Sequence, residues 1–176
     1  MADIGCGHGA STILMALAYP NSAFYGFDFH KKSIQAAQKR AKAAGLGKRV
    51  TFQVADATHF PGKDYDLICH FDCLHDMADP VGCAKRVKQT IASDGTWLIV
   101  EPFAGDRVQD NLNPVGRMFY AASTSLCVPN SLAKKGPALG AQAGEARLRD
   151  VVMKGGLTRF RRAAQSPFNL ILEARP

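Results

Sequence analysis

The last two strand-like runs of this 176-residue chain, 158–164 and 168–174, are separated only by Gln165, Ser166 and Pro167. A link that short can join only antiparallel neighbours, because a parallel crossover needs about a dozen residues or more. Upstream, strand and helix signals alternate. An apolar stub at 2–4 precedes a helix-favouring run at 10–19, a strand at 23–28 and a polar-faced helix at 31–44. Strands follow at 50–55 and 66–71, then a helix from 80 to about 92, a turn at Ser93-Asp94-Gly95 and a strand at 96–101. Alternation of this kind implies parallel strands with helices on both faces. The expected fold class is therefore α/β, with a doubly wound mixed sheet and one antiparallel strand.

The punctuation agrees. Asp79-Pro80 supplies a cap and a first-turn proline for the fourth-strand helix. Gly45 and the pair Gly155-Gly156 close the helices at 31–44 and 144–154. The stretch 103–143 is less regular, with one helix at 115–125 before Pro129 and Pro137, and reads as a lid or insertion within one domain, 1–176. Composition is that of a globular protein, 47% hydrophobic and 21% charged, which excludes global disorder. The net charge of +7 comes from scattered basic residues, so it reads as a solvated surface and not as a nucleic-acid footprint. No run approaches the roughly 18 apolar residues of a membrane span. Five cysteines without a CxxC pair suggest reduced thiols and a cytoplasmic setting. Cys69, His70, Cys73 and His75 lack a second ligand pair to close a zinc site, so no metal is expected.

Asp3-Ile4-Gly5-Cys6-Gly7-His8-Gly9 lies between a strand end and a helix start. Glycines there permit a tight turn and close approach of a ligand, beside the free N–H groups of a helix N-terminus. Gly5, Gly7 and Ala10 also match a dinucleotide fingerprint, with Asp28 where a ribose-binding acid belongs, so a nicotinamide-dependent oxidoreductase is one reading. Asp3 argues otherwise: a carboxylate before the first glycine suits a cationic ligand better than a pyrophosphate. Asp56-Ala57, ending the third strand, can read an adenine edge, and the antiparallel closing pair is the third discriminator.

DIGCGHG (3–9), FYGFD (24–28), VADA (54–57), YDLICHFDCLHDMADP (65–80), SDGTWLIVEP (93–102) and the two closing strands together resemble a class I S-adenosylmethionine-dependent methyltransferase. The stretches 129–152 and 166–176 resemble the tail of a bacterial, notably actinobacterial, group whose members usually carry a winged-helix-like N-terminal domain. The resemblance implies a Rossmann-like sheet of order 3-2-1-4-5-7-6 with strand 7 antiparallel, and S-adenosylmethionine as cofactor, released as S-adenosylhomocysteine. It implies that Gly5 and Gly7 pass the methionine part, Asp3 lies near its ammonium, and Asp28 takes the ribose hydroxyls with Phe29 beside the adenine. Asp56 and the Ala57 N–H would read the adenine edge. His70 and Phe71 would flank the cofactor and face the acceptor. The acceptor is expected to be a small molecule, methylated on O, N or C.

Methyl transfer needs mainly near-attack positioning, and a base only where the acceptor loses a proton. His75 is the first candidate base and His70 the second. Glu101 could position the acceptor, and 111–140 would cover it. The glycine turn begins at residue 5, so the central first strand is expected to be short. The chain then reads as N-terminally truncated, with a non-catalytic or poorly folded fragment as the second reading. A homodimer is expected if the missing N-terminal domain is supplied.

Overall fold

The computed structural model describes residues 1–176. The closing hairpin sets the sheet. In β7 (Asn169–Arg175) Leu170, Leu172 and Ala174 are buried and alternate with half-buried neighbours, which is the period-two pattern of a strand with one face against a core. β7 pairs antiparallel with β5 (Ile91–Pro102), Ile99 opposite Leu172, and on its other edge with β6 (Arg159–Gln165). The remaining strands, β1 (Ala2–Ile4), β2 (Phe24–Asp28), β3 (Val50–Val54) and β4 (Tyr65–Phe71), pair in parallel with one another and with β5. The seven-stranded order is β3-β2-β1-β4-β5-β7-β6, the order that the family resemblance implies. β1 is short, with three buried residues, and lies at the centre between β2 and β4.

Helices cover both faces. α1 (Ala10–Ala18) and α2 (Lys31–Ala43) pack over β1 to β3, where Ala16, Ile34, Ala37, Ala41, Phe24 and Phe52 form one buried cluster. Ile34, Ala37 and Ala41 recur at helical spacing, so one stripe of α2 faces the sheet. α3 (Pro80–Thr90) and α6 (Gly144–Lys154) cover the other face through Cys83, Val87, Leu148 and Val152, around Trp97, Ile68 and Leu172. Each large apolar side chain removed from water here contributes about 1.5–3 kcal/mol. Asp79 caps α3 by accepting from the Gly82 N–H at 2.7 Å, with Pro80 in the first turn.

Two local readings change. Ser93-Asp94-Gly95 is not a turn: β5 runs through it, and the pairing with β4 shifts register between Tyr65 and Leu67 to absorb the extra residues. The helix expected over 115–125 extends further, because Pro129 does not break it. α4 (Pro114–Ala122) passes through one widened turn, Ser123–Cys127, into α5 (Val128–Ala133), with helical dihedrals at both junctions. Proline lacks the N–H that an unwidened turn would use, and a widened turn is one way to accommodate that loss. No helix is long and apolar enough to cross a membrane.

Candidate functional site

The parallel strands point their C-terminal ends toward one edge of the sheet, where open α/β sheets bind ligands. The glycine turn lies there, tied to β2 by its own backbone. The Gly5 and Cys6 N–H groups both donate to the Phe27 carbonyl, at 2.8 and 3.1 Å, and Gly7 N–H donates to Asp28 Oδ2 at 3.0 Å. Gly7 has φ +52°, and a Cβ built on it would meet nothing within 4 Å, so the turn leaves open space at this residue. Gly9 is the opposite case: at φ +77° its Cβ would meet the Phe52 ring at 2.5 Å, so only glycine lets α1 start so close to β3. Gly9 places no side-chain cap on α1 and no acid occupies its first turn, so the carboxylate at this helix end comes from β1.

Asp3 is buried, and its Oδ2 accepts from the Ser11 and Thr12 hydroxyls at 2.6 and 2.5 Å. Burial raises its pKa, opposed by those hydroxyl bonds. Asp3 therefore ties β1 to the first turn of α1 and keeps a carboxylate just beneath the glycines. Asp28 is half-buried at the end of β2, and its second oxygen, Oδ1, accepts from the His30 N–H at 2.8 Å. Phe29 follows it, 65% exposed. Asp56 is exposed, and its Oδ1 accepts from Thr58 N–H and Oγ1 in an Asx-type turn. The Thr58 hydroxyl bond lowers its pKa, against the effect of partial burial. Ala57 is half-buried beside it, and Phe71 is half-buried at the exit of β4.

A second cluster forms where β4 and β5 end. His75, in the short 3-10 turn Leu74–Asp76, is buried. Its Nδ1 contacts Glu101 Oε2, and its Nε2 lies 3.2 Å from Asp76 Oδ1. Glu101, buried in β5, also accepts from the Leu74 N–H at 2.9 Å. It orients the imidazole instead of facing an open cleft. Burial alone would depress His75, but hydrogen bonds to Asp76 and Glu101 and their charges prevail and push it up to about 11. His75 thus rests as an imidazolium between two carboxylates.

His70 does not join this cluster. It is fully buried, its Nδ1 accepts from Trp97 Nε1–H at 2.8 Å, and its Nε2 lies 3.2 Å from Cys83 Sγ. Burial lowers its pKa to about 3, so it is a neutral core residue at working pH. The expectation that it faces the acceptor fails because alternation along β4 turns it toward α3, while Phe71 turns the other way.

The sequence profile of the methyltransferase domain matches residues 1–144. This chain belongs to the methyltransferase-domain family. Norajmaline N-methyltransferase of Rauvolfia serpentina is 30% identical over 116 residues, 65% of this chain and 38% of that enzyme. The 27-O-demethylrifamycin SV methyltransferase of Amycolatopsis mediterranei is 36% identical over 97 residues, 54% of this chain and 35% of that enzyme. Human N-acetylserotonin methyltransferase, solved with S-adenosylmethionine, shares the fold at TM-score 0.74 and 21% identity, covering 99% of this chain and 46% of that one. The chain thus spans less than half the length of each of these three proteins.

Two residues of this methyltransferase domain escape the sequence reading. Cys127 Sγ approaches His75 and Asp76 from the widened turn. Lys134, just after α5, places Nζ 4.4 Å from the centroid of the Phe29 ring, a cation–π contact. Neither carries a motif, and both depend on the path of 114–134, which only the structure gives.

Proposed function

We propose that this methyltransferase domain transfers a methyl group from S-adenosylmethionine to an O, N or C atom of a small-molecule acceptor. One observation carries the reading: the half-buried Asp28 carboxylate ends β2 and holds the Gly7 N–H, beside the open space at that glycine. The donor set suits this cofactor. Asp28 keeps lone pairs for ribose hydroxyls, and Phe29 offers an exposed ring to an adenine. The free Oδ2 side of Asp56 and the Ala57 N–H suit an adenine edge, and Gly7 leaves room for the methionine chain above Asp3, while Gly5 keeps the turn tight against Cys73. When bound, S-adenosylmethionine supplies a methyl group activated on positively charged sulfur.

On the acceptor side the protein's work is orientation and proton handling. Glu101 holds Nδ1 of His75, which leaves Nε2 as the working nitrogen of the ring. His75 takes the acceptor proton at Nε2 after that atom passes its own proton to Asp76 or solvent. Phe71, half-buried at the exit of β4, would line the passage between cofactor and acceptor. The relatives' names span N- and O-methylation of small molecules, which supports this acceptor class. The test is incubation with S-adenosylmethionine and a panel of phenols, alcohols and amines, reading S-adenosylhomocysteine. Acceptor-dependent release is expected, and its absence with every acceptor would overturn the reading.

A further inference from the structure

Three donor atoms of different chemistry converge beside the acceptor end. His75 Nε2, a carboxylate oxygen of Asp76 and Cys127 Sγ all lie within 4.8 Å of one another. His75 Nε2 and Asp76 Oδ1 are 3.2 Å apart. Ligand atoms around a tetrahedral metal with bonds near 2.1 Å sit roughly 3.4 Å apart. We propose that His75, Asp76 and Cys127 bind a thiophilic divalent metal of the Zn2+ class, with one coordination position open.

Three further features point the same way. Glu101 takes Nδ1 of His75, which fixes the tautomer that presents Nε2 to a metal, the carboxylate–histidine arrangement found behind metal ligands. Asp76 Oδ1 is buried with His75 Nε2, 3.2 Å away, as its near polar neighbour, and a metal between the two would replace that contact with a bond to each. The ligand-bearing segments are also pinned to each other. Gly140 N–H donates to the His75 carbonyl at 3.3 Å, Asn130 Nδ2 to the Asp76 carbonyl at 3.3 Å, and Ser131 Oγ to the Met77 carbonyl at 3.2 Å. The site is thus organised before a metal arrives.

One nitrogen, one oxygen and one sulfur select a borderline-soft ion over Mg2+ or Ca2+, which prefer all-oxygen shells. Three protein ligands with an open position are the pattern of a reactive zinc centre, whereas structural zinc sites are closed by four. Binding would displace the Cys127 thiol proton and the Nε2 proton of His75 into solvent, with no change of oxidation state. A metal on Nε2 leaves that atom unable to take an acceptor proton, so metal loading and proton transfer by His75 exclude each other. The metal site does not depend on the methyl-transfer reading: a protein that transferred no methyl group would still bind the ion.

The test is titration of the reduced full chain with Co2+ as a spectroscopic probe. One equivalent should produce an intense near-ultraviolet sulfur-to-cobalt band that Zn2+ then bleaches, and Zn2+ should raise the melting temperature. Cys127→Ala should abolish the band, and Asp76→Asn should weaken Co2+ binding at least about tenfold. Cys127→Ser keeps the side-chain size and should lose the band while melting like the metal-free parent. The absence of the band at one equivalent, or its persistence in both Cys127 variants, would overturn the proposal.

Discussion

The two ends of the site are built in different ways. The cofactor end is local: Asp3 and Asp28 lie on two adjacent strands, Gly5 and Gly7 in the turn after the first, and the backbone of that turn donates directly into the next strand end. The acceptor end is assembled from afar. Glu101 is 26 residues from His75 in sequence, yet the two side chains touch. Cys127 arrives from an irregular stretch of helix outside the alternating core pattern. The first end needs only one strand–turn–helix unit to form. The second needs β4, β5 and the 114–133 helix in place together, so its chemistry depends on tertiary packing.

Substitutions can break or sharpen this contrast. Asp28→Ala should have the largest effect, because it removes the acceptor of both the Gly7 and the proposed ribose bonds. S-adenosylhomocysteine affinity by calorimetry should fall by about 100-fold or more. Glu101→Gln should leave that affinity unchanged while turnover drops by about 100-fold, since it frees the His75 ring without touching the cofactor end. Asp3→Asn removes the charge proposed to lie nearest the ammonium, and affinity should fall about tenfold. Its stability should move the other way. Burial raises the Asp3 pKa in the fold, so the folded state holds that proton more tightly than the unfolded chain. The resulting stabilisation is present at low pH and lost as pH rises through the folded value. The Asn variant should therefore gain on the parent in melting temperature as pH rises from acid to neutral.

Trp97→Phe should have the smallest effect on function. It leaves His70 Nδ1 without its donor inside the core, for a loss of about 1–3 kcal/mol in chemical denaturation. Cofactor affinity should not change. A change in turnover with unchanged stability would instead place His70 at the reaction.

Much of the fold was legible in the sequence because its signals are local. The short link at Gln165–Pro167 dictated the antiparallel edge, and Asp79-Pro80 and Gly45 marked helix ends. The glycine turn and the acids at β2 and β3 were legible for the same reason. What failed needed information from elsewhere. Ser93-Asp94-Gly95 has turn composition, but β4 pairs on both sides of it and carries the strand through. Pro129 looks like a break until a widened turn accommodates it. His70 and His75 are both candidate bases in sequence, yet strand alternation buries one against Trp97 while a 3-10 turn sets the other between Glu101 and Asp76. Cys127 has no flanking motif, since its partners are fixed by the path of the intervening chain.

The central claim is that the glycine turn and Asp28 hold S-adenosylmethionine, whose methyl group this domain transfers. Paired calorimetric titrations with S-adenosylhomocysteine and NADH test it most directly. The account predicts one-to-one binding of S-adenosylhomocysteine, lost in Asp28→Ala, and no heat with NADH. Binding of NADH, or S-adenosylhomocysteine affinity that survives Asp28→Ala, would contradict it.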